Sequence, residues 1–173
     1  MPLRIGVLIL FSCLLASASP LLAAESQRHD ASSPIDITAD RLEADDQAGY
    51  FIFEGRVQAK QDNAIIYAKT LTVYYDQVPV SGAEKGQAQR RIERAVAEGD
   101  VRIVQQDRIA TGQKAEFFQS QGYVVLTGSP KVLQGESQVA GERITVYLDD
   151  NRSVVEGGDQ GRVRALFVPE KKQ

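Results

Sequence analysis

The stretch GQKAEFFQSQGYVVLTGSPKVLQGESQVAGERITVYLDDNRSVVEG, Gly112 to Gly157, repeats itself, and the repetition decides the fold. Gly128 and Gly157 each close a short apolar run (GYVVLTG, then RSVVEG), while Gly112 and Gly141 each open another (GQKAEFF, then GERITVY). Both intervals are 29 residues. Upstream, Gly99 lies 29 residues before Gly128, and Gly55 lies 44 before Gly99, one beat lengthened by 15. The opening element recurs at Ala39, Ala68, Gly112 and Gly141, with steps of 29, 44 and 29. Two anchors thus report one array of four units with a single insertion of about 15 residues, placed within Val78 to Ile92. A period of this size marks supersecondary units stacked on a continuous core.

Within the units, apolar and polar residues alternate, the period of a half-buried strand. Short strands are expected at Ile35 to Thr38, Arg41 to Ala44, Tyr50 to Lys60, Ala64 to Tyr75, Val96 to Gln105 and Arg108 to Phe118. They continue at Tyr123 to Thr127, Lys131 to Gln134, Gln138 to Leu148, Ser153 to Glu156 and Arg162 to Val168. Turn formers separate them, among them Asp45 to Gly49, Gln61 to Asn63, Gln119 to Gly122 and Gly157 to Gly161. The fold class is all-β, a sandwich, roll or barrel of antiparallel strands. The one helix candidate, Ala83 to Ala97, carries Gly86 and few apolar positions, so it reads as a polar loop running into a strand.

Alternation also assigns faces. Val57, Val101, Ile103 and Val132 follow the anchoring glycines with one parity, which extends back to Phe51, Phe53, Val124 and Leu126. In the second element Leu71, Val73, Tyr75, Ala115, Phe117, Ile144, Val146 and Leu148 point one way; Thr72, Tyr74, Glu116, Phe118, Thr145 and Tyr147 point the other. Any β core would share this pattern. Four equivalent units, however, would line a long apolar strip rather than a compact centre. A stack of strands also leaves two unpaired ends, here Ile35 to Thr38 and Arg162 to Val168, which either stay capped by charge or recruit another chain.

Residues 1 to 24 read as a cleaved signal peptide, with Arg4, an apolar run from Ile5 to Leu15 and small residues to Ala24. Cleavage is expected after Ala24, with Ala16 to Ala18 as the second choice. Cys13, the only cysteine, lies in this leader, and bulky Phe11 argues against a lipoprotein site. Residues 25 to 33 and 170 to 173 read as flexible ends of a single domain spanning 34 to 169. A net charge of −3 with scattered basic residues argues against a nucleic-acid binder.

No catalytic constellation emerges. The lone histidine, His29, sits in the polar lead-in, and no cysteine follows the leader, so nucleophile–base pairs and soft metal sites lack their key members. The pairs Asp45-Asp46 and Asp149-Asp150 fall in turns, where Asp serves the backbone. The reading is therefore a non-enzyme without cofactor or metal. An enzyme would need carboxylates converging on the inward face, and the inward positions above contain none.

SPIDITADRLEAD, FEGRVQAKQDNAIIYAKTLTVYY, the opening stretch and RVRALFVP together resemble the OstA-like family of periplasmic lipopolysaccharide-transport proteins. The resemblance spans about Pro34 to Pro169 and leaves out Val78 to Arg91. It implies a twisted, V-shaped β-jellyroll, open along a hydrophobic groove for the acyl chains of lipid A. It also implies head-to-tail association, with an inner-membrane LptC-type protein at the N-terminal end and an outer-membrane LptD-type protein at the C-terminal end. Joined to the alternation, it makes Ile35, Ile37, Val57, Leu71, Val73, Val101, Ile103, Phe117, Val124, Leu126, Ile144 and Val146 the candidate lining of a lipid groove. The competing reading is an exported, self-assembling β-solenoid with a filled core and no cargo.

Overall fold

The computed structural model describes residues 33–79, 88–148, 150, 152–159 and 161–169. The leader, residues 25–32, the middle of the insertion and residues 170–173 lie outside them. Among the described residues the chain forms twelve strands, all paired antiparallel, and no helix. Four are long: β3 (Tyr50–Gln61), β4 (Ala64–Pro79), β5 (Ala88–Gln105) and β6 (Arg108–Phe118). The others are β1 (Asp36–Thr38), β2 (Arg41–Asp45), β7 (Tyr123–Thr127), β8 (Lys131–Gln134), β9 (Ser137–Ala140), β10 (Arg143–Tyr147), β11 (Arg152–Glu156) and β12 (Arg164–Leu166).

Each long strand serves two sheets. The first half of β3 pairs with β2 and its second half with β1, while β6 pairs with β8 through Arg108–Thr111 and with β7 through Lys114–Phe118. One sheet therefore holds β1, β8, β9 and β12 with one half of each long strand. The other holds β2, β7, β10 and β11 with the remaining halves. The result is an open antiparallel β-jellyroll whose two sheets part from a common corner.

The periodic glycines make that corner. Gly55 and Arg56 have φ of 77° and 47°, Gly99 and Asp100 82° and 51°, Gly128 and Ser129 75° and 59°. Two successive left-handed residues break the pleat, and pairing shifts register there, between Glu54 and Val57 and between Glu98 and Val101. Only glycine fits the first position. A Cβ on Gly128 would lie 2.5 Å from the Cβ of Gln113, and one on Gly99 would lie 2.9 Å from that of Lys69. At the fourth unit the beat slips by one residue, since Gly158, not Gly157, lies against the facing side chain, Glu142.

Charge pairs run along the outside of the corner. Arg56 pairs with Asp40, and Lys69 Nζ lies 2.7 Å from Asp100 Oδ2. The Arg56 hydrogen bond holds the Asp40 carboxyl below its usual range, and the Lys69 hydrogen bond does the same for Asp100. Exposed pairs of this kind contribute at most about 1 kcal/mol each. The weight of the fold lies in the core beneath them. Val57 and Val101 from one sheet meet Leu126 and Ile144 from the other, all 1–2% exposed. Ile144→Ala should therefore lower unfolding free energy by about 2–5 kcal/mol, read from the denaturant midpoint at unchanged m-value.

On the opposite face of the second sheet, one cross-strand row is unbroken. Tyr50, Tyr74, Arg94, Phe118, Tyr123, Tyr147 and Arg152 are mutual register partners across seven strands. Rings touch edge to face at Tyr50–Tyr74 and tilted at Phe118–Tyr123, and Arg94 and Arg152 cap Tyr74 and Tyr147 at 4.5 and 3.9 Å. Such pairs stabilise a sheet by several tenths of a kcal/mol each, about 0.2–1. The row ties the strands together on the side away from the core.

Two sequence expectations change. The strand expected from Val96 starts earlier: β5 begins at Ala88 and pairs β4 from Pro79↔Ala88 inward. The insertion lengthens β4 and β5 into a hairpin that runs past β3 and β6, whose pairings stop at Tyr74 and Arg94. The expected strand from Gln138 to Leu148 is two, β9 and β10, parted at Gly141-Glu142. A Cβ on Gly141 would lie 2.6 Å from the Glu156 carbonyl, so the chain turns the corner there as well.

Candidate functional site

Away from the corner the sheets separate, and a groove of about 400 Å³ lies between them. Its wall on the first sheet comes from Ile35, Ile37, Ala59, Ala64, Ile66 and Ile103. The second sheet contributes Phe51, Phe53, Leu71, Val73, Ile92, Ala95 and Phe117, with Val124 and Leu148 farther along. Among the described residues no carboxylate borders it. The polar side chains at its border, among the same residues, are Lys60, Gln61, Gln105, Arg90 and the Tyr75 hydroxyl. An elongated apolar recess with polar groups at its lips can hold hydrocarbon.

The twelve residues singled out from the sequence divide in two. Ile35, Ile37, Leu71, Val73, Ile103, Phe117 and Val124 border the groove. Val57, Val101, Leu126 and Ile144 are sealed beneath it in the core, and Val146 packs against that core. Several lining residues went unnamed. Ala59 continues the parity of Val57 on β3, while Ala64 and Ile66 follow a parity that reverses inside β4: Ala68 and Leu71, three residues apart, both face inward. Ile92, Ala95 and Arg90 belong to the part of β5 that reads locally as polar insertion.

Arg90 has a defined seat. Register carries the inward row of β5 from Ala97, opposite Leu71, and Ala95, opposite Val73, to Ile92, opposite Tyr75, and then to Arg90. Its guanidinium carbon lies 5.3 and 5.6 Å from the ring centres of Tyr75 and Phe51, which stack on each other at 4.8 Å. Nη2 donates to Asp46 Oδ1 at 2.9 Å, and the Tyr75 hydroxyl donates to the same oxygen at 2.6 Å. The Tyr75 hydrogen bond, then the Arg90 charge, holds the Asp46 carboxyl below its usual range; the same hydrogen bond raises the Tyr75 hydroxyl.

Both ends of the stack are apolar. Among the described residues the exposed large hydrophobic side chains are Ile35 and Leu42 at the first edge, and Val163, Leu166, Phe167 and Val168 at the last. Phe167 is 75% exposed.

The family model for LptA/(LptD N-terminal domain) LPS transport protein matches residues 36–152, more than half of the chain. The chain belongs to this LPS transport family. The matched region carries the groove as well as three of the four corners. Lipopolysaccharide export system protein LptA of Escherichia coli K12 is 29% identical, over 96% of this chain and 86% of its own. An uncharacterized Rhizobium meliloti protein is 26% identical over 81% of this chain and 74% of its own. LptH of Pseudomonas aeruginosa, described as the LptA-homologous periplasmic component of the lipopolysaccharide transport device, superposes with a TM-score of 0.68 at 22% identity. That superposition covers 82% of this chain and 99% of LptH, and it establishes the shared jellyroll. Among the described residues of this LPS transport family member, no helix is long and apolar enough to cross a membrane.

Proposed function

We propose that this chain is a non-enzymatic periplasmic carrier that holds lipopolysaccharide by its lipid A acyl chains in the groove and passes it from the inner to the outer membrane. The observation that supports this most is the lining itself: an apolar recess bordered, among the described residues, by no carboxylate, in a member of an LPS transport family. Leaving hydrocarbon in water costs about 0.8 kcal/mol per methylene, so a dozen carbons cost on the order of 10 kcal/mol. Several such chains on one molecule cannot cross an aqueous space unaided. A groove removes that cost without chemistry. Many similar contacts and no deep anchor let the lipid move on.

The exposed apolar side chains at both ends support head-to-tail joining, since contacts between unlike ends propagate instead of closing. In this reading the end bearing Ile35 meets an inner-membrane LptC-type protein, and the end bearing Phe167 meets an outer-membrane LptD-type protein. The unfilled groove favours a cargo over a purely structural solenoid. Mature protein incubated with lipopolysaccharide should give a stoichiometric complex by size-exclusion chromatography with light scattering, and its mass should rise with protein concentration. Protein that elutes free of lipopolysaccharide at every ratio contradicts the carrier.

A further inference from the structure

We propose that Arg90 is the head-group-recognising residue of the groove, exchanging Asp46 for an anionic group, phosphate or carboxylate, carried beside the acyl chains of the bound amphiphile. The inference rests on the reading of the groove as an acyl-chain site. Arg90 stands on the inward row of β5, one place beyond Ile92, at the border of the apolar groove. The other cation at the groove's border, Lys60, alternates away from inward Ala59 and is exposed, as is Gln58. Among the described residues Arg90 is therefore the positive charge that faces the opening, in a chain whose acidic residues outnumber its basic ones, 23 to 20.

The seat suits exchange. The Phe51 and Tyr75 rings hold the guanidinium in place by cation–π contact, so its position does not depend on Asp46. The Arg90–Asp46 pair is solvent-exposed and weak, and Asp46 keeps the Tyr75 hydroxyl as a donor when Arg90 leaves. Nη2, which donates to Asp46, belongs to both two-donor forks of a guanidinium, Nε–Nη2 and Nη1–Nη2, so exchanging Asp46 opens the two-point contact that arginine makes with phosphate or carboxylate. An amphiphile whose chains lie against Ile92 and Ala95 would bring its head group to such a fork.

The test compares ligands with one dodecyl chain below their micellar concentrations, by calorimetry on the mature protein: dodecyl phosphate, dodecanoate and neutral dodecyl maltoside. The anionic ligands should bind about tenfold more tightly than the neutral one, the scale of one charge-assisted contact. The phosphate and carboxylate arms separate the two head-group chemistries. Arg90→Gln should abolish the difference by weakening the anionic ligands to the maltoside level; Arg90→Lys should restore part of it, and Lys131→Gln, exposed on β8 away from the groove, should change neither affinity. Asp46→Asn, which removes the competing carboxylate, should tighten the anionic ligands severalfold. An anionic preference that survives Arg90→Gln overturns the proposal, as does its absence in the wild type when maltoside binds. Failure of all three ligands overturns the groove reading with it.

Discussion

Gly128→Val should be among the most destabilising single substitutions in the chain, lowering unfolding free energy by about 3 kcal/mol or more. Three effects coincide at this position. Its φ of 75° is one that a β-branched residue rarely adopts, and the next residue, Ser129, is left-handed too, so the strain cannot pass along the chain. The added Cβ would also lie 2.5 Å from that of Gln113, which is fixed by its own backbone hydrogen bond to the Gly128 carbonyl. Gly135 is the control. It has φ of 56° and nothing within 4 Å of a Cβ, so Gly135→Ala carries only the left-handed penalty, about 1 kcal/mol. Denaturant unfolding of the two variants separates close approach from backbone preference. Equal losses would mean that the glycines mark flexible turns and not a packed corner.

Ala95→Glu should leave the fold intact and reduce lipopolysaccharide binding at least a hundredfold. Ala95 lines the groove and is only partly buried, so in the empty protein a carboxylate there reaches water. With acyl chains in place it would be covered by hydrocarbon without a partner, a penalty of several kcal/mol. Thr72→Glu, on the outward parity of β4, adds the same charge to the other face and should bind normally. Equal loss in both variants would point to general charge repulsion; no loss in either would place the lipid elsewhere.

The sequence already carried most of this architecture, because the features that set it are local. Glycines at positions that need positive φ recur at 29 and 44 residues, and the corner repeats at those same intervals. In β3 and β5 the inward parity runs straight through the glycine, Phe53 to Val57 and Ala97 to Val101, so the faces read correctly there. In β4 and β6 it reverses at the corner, between Ala68 and Leu71 and between Gly112 and Ala115, and no residue announces the reversal. Ile66 and Ala64 were lost for that reason. The stretch from Ala88 to Arg94 was lost for another: AQRRIER has no strand propensity of its own and is extended because β4 pairs with it. Arg90, the charge that faces the groove, was hidden in it.

Photo-crosslinking gives the most direct test of the central claim that acyl chains lie between the sheets. A photoreactive residue at Phe117, which borders the groove, should yield lipopolysaccharide adducts, and one at neighbouring Glu116, on the other face of β6, should not. Ile144 is a poorer probe, being only 1% exposed. Adducts at Phe117 alone are the predicted result. Adducts from Glu116 with none from Phe117 would contradict the account, placing the cargo on the outer face beside the aromatic row.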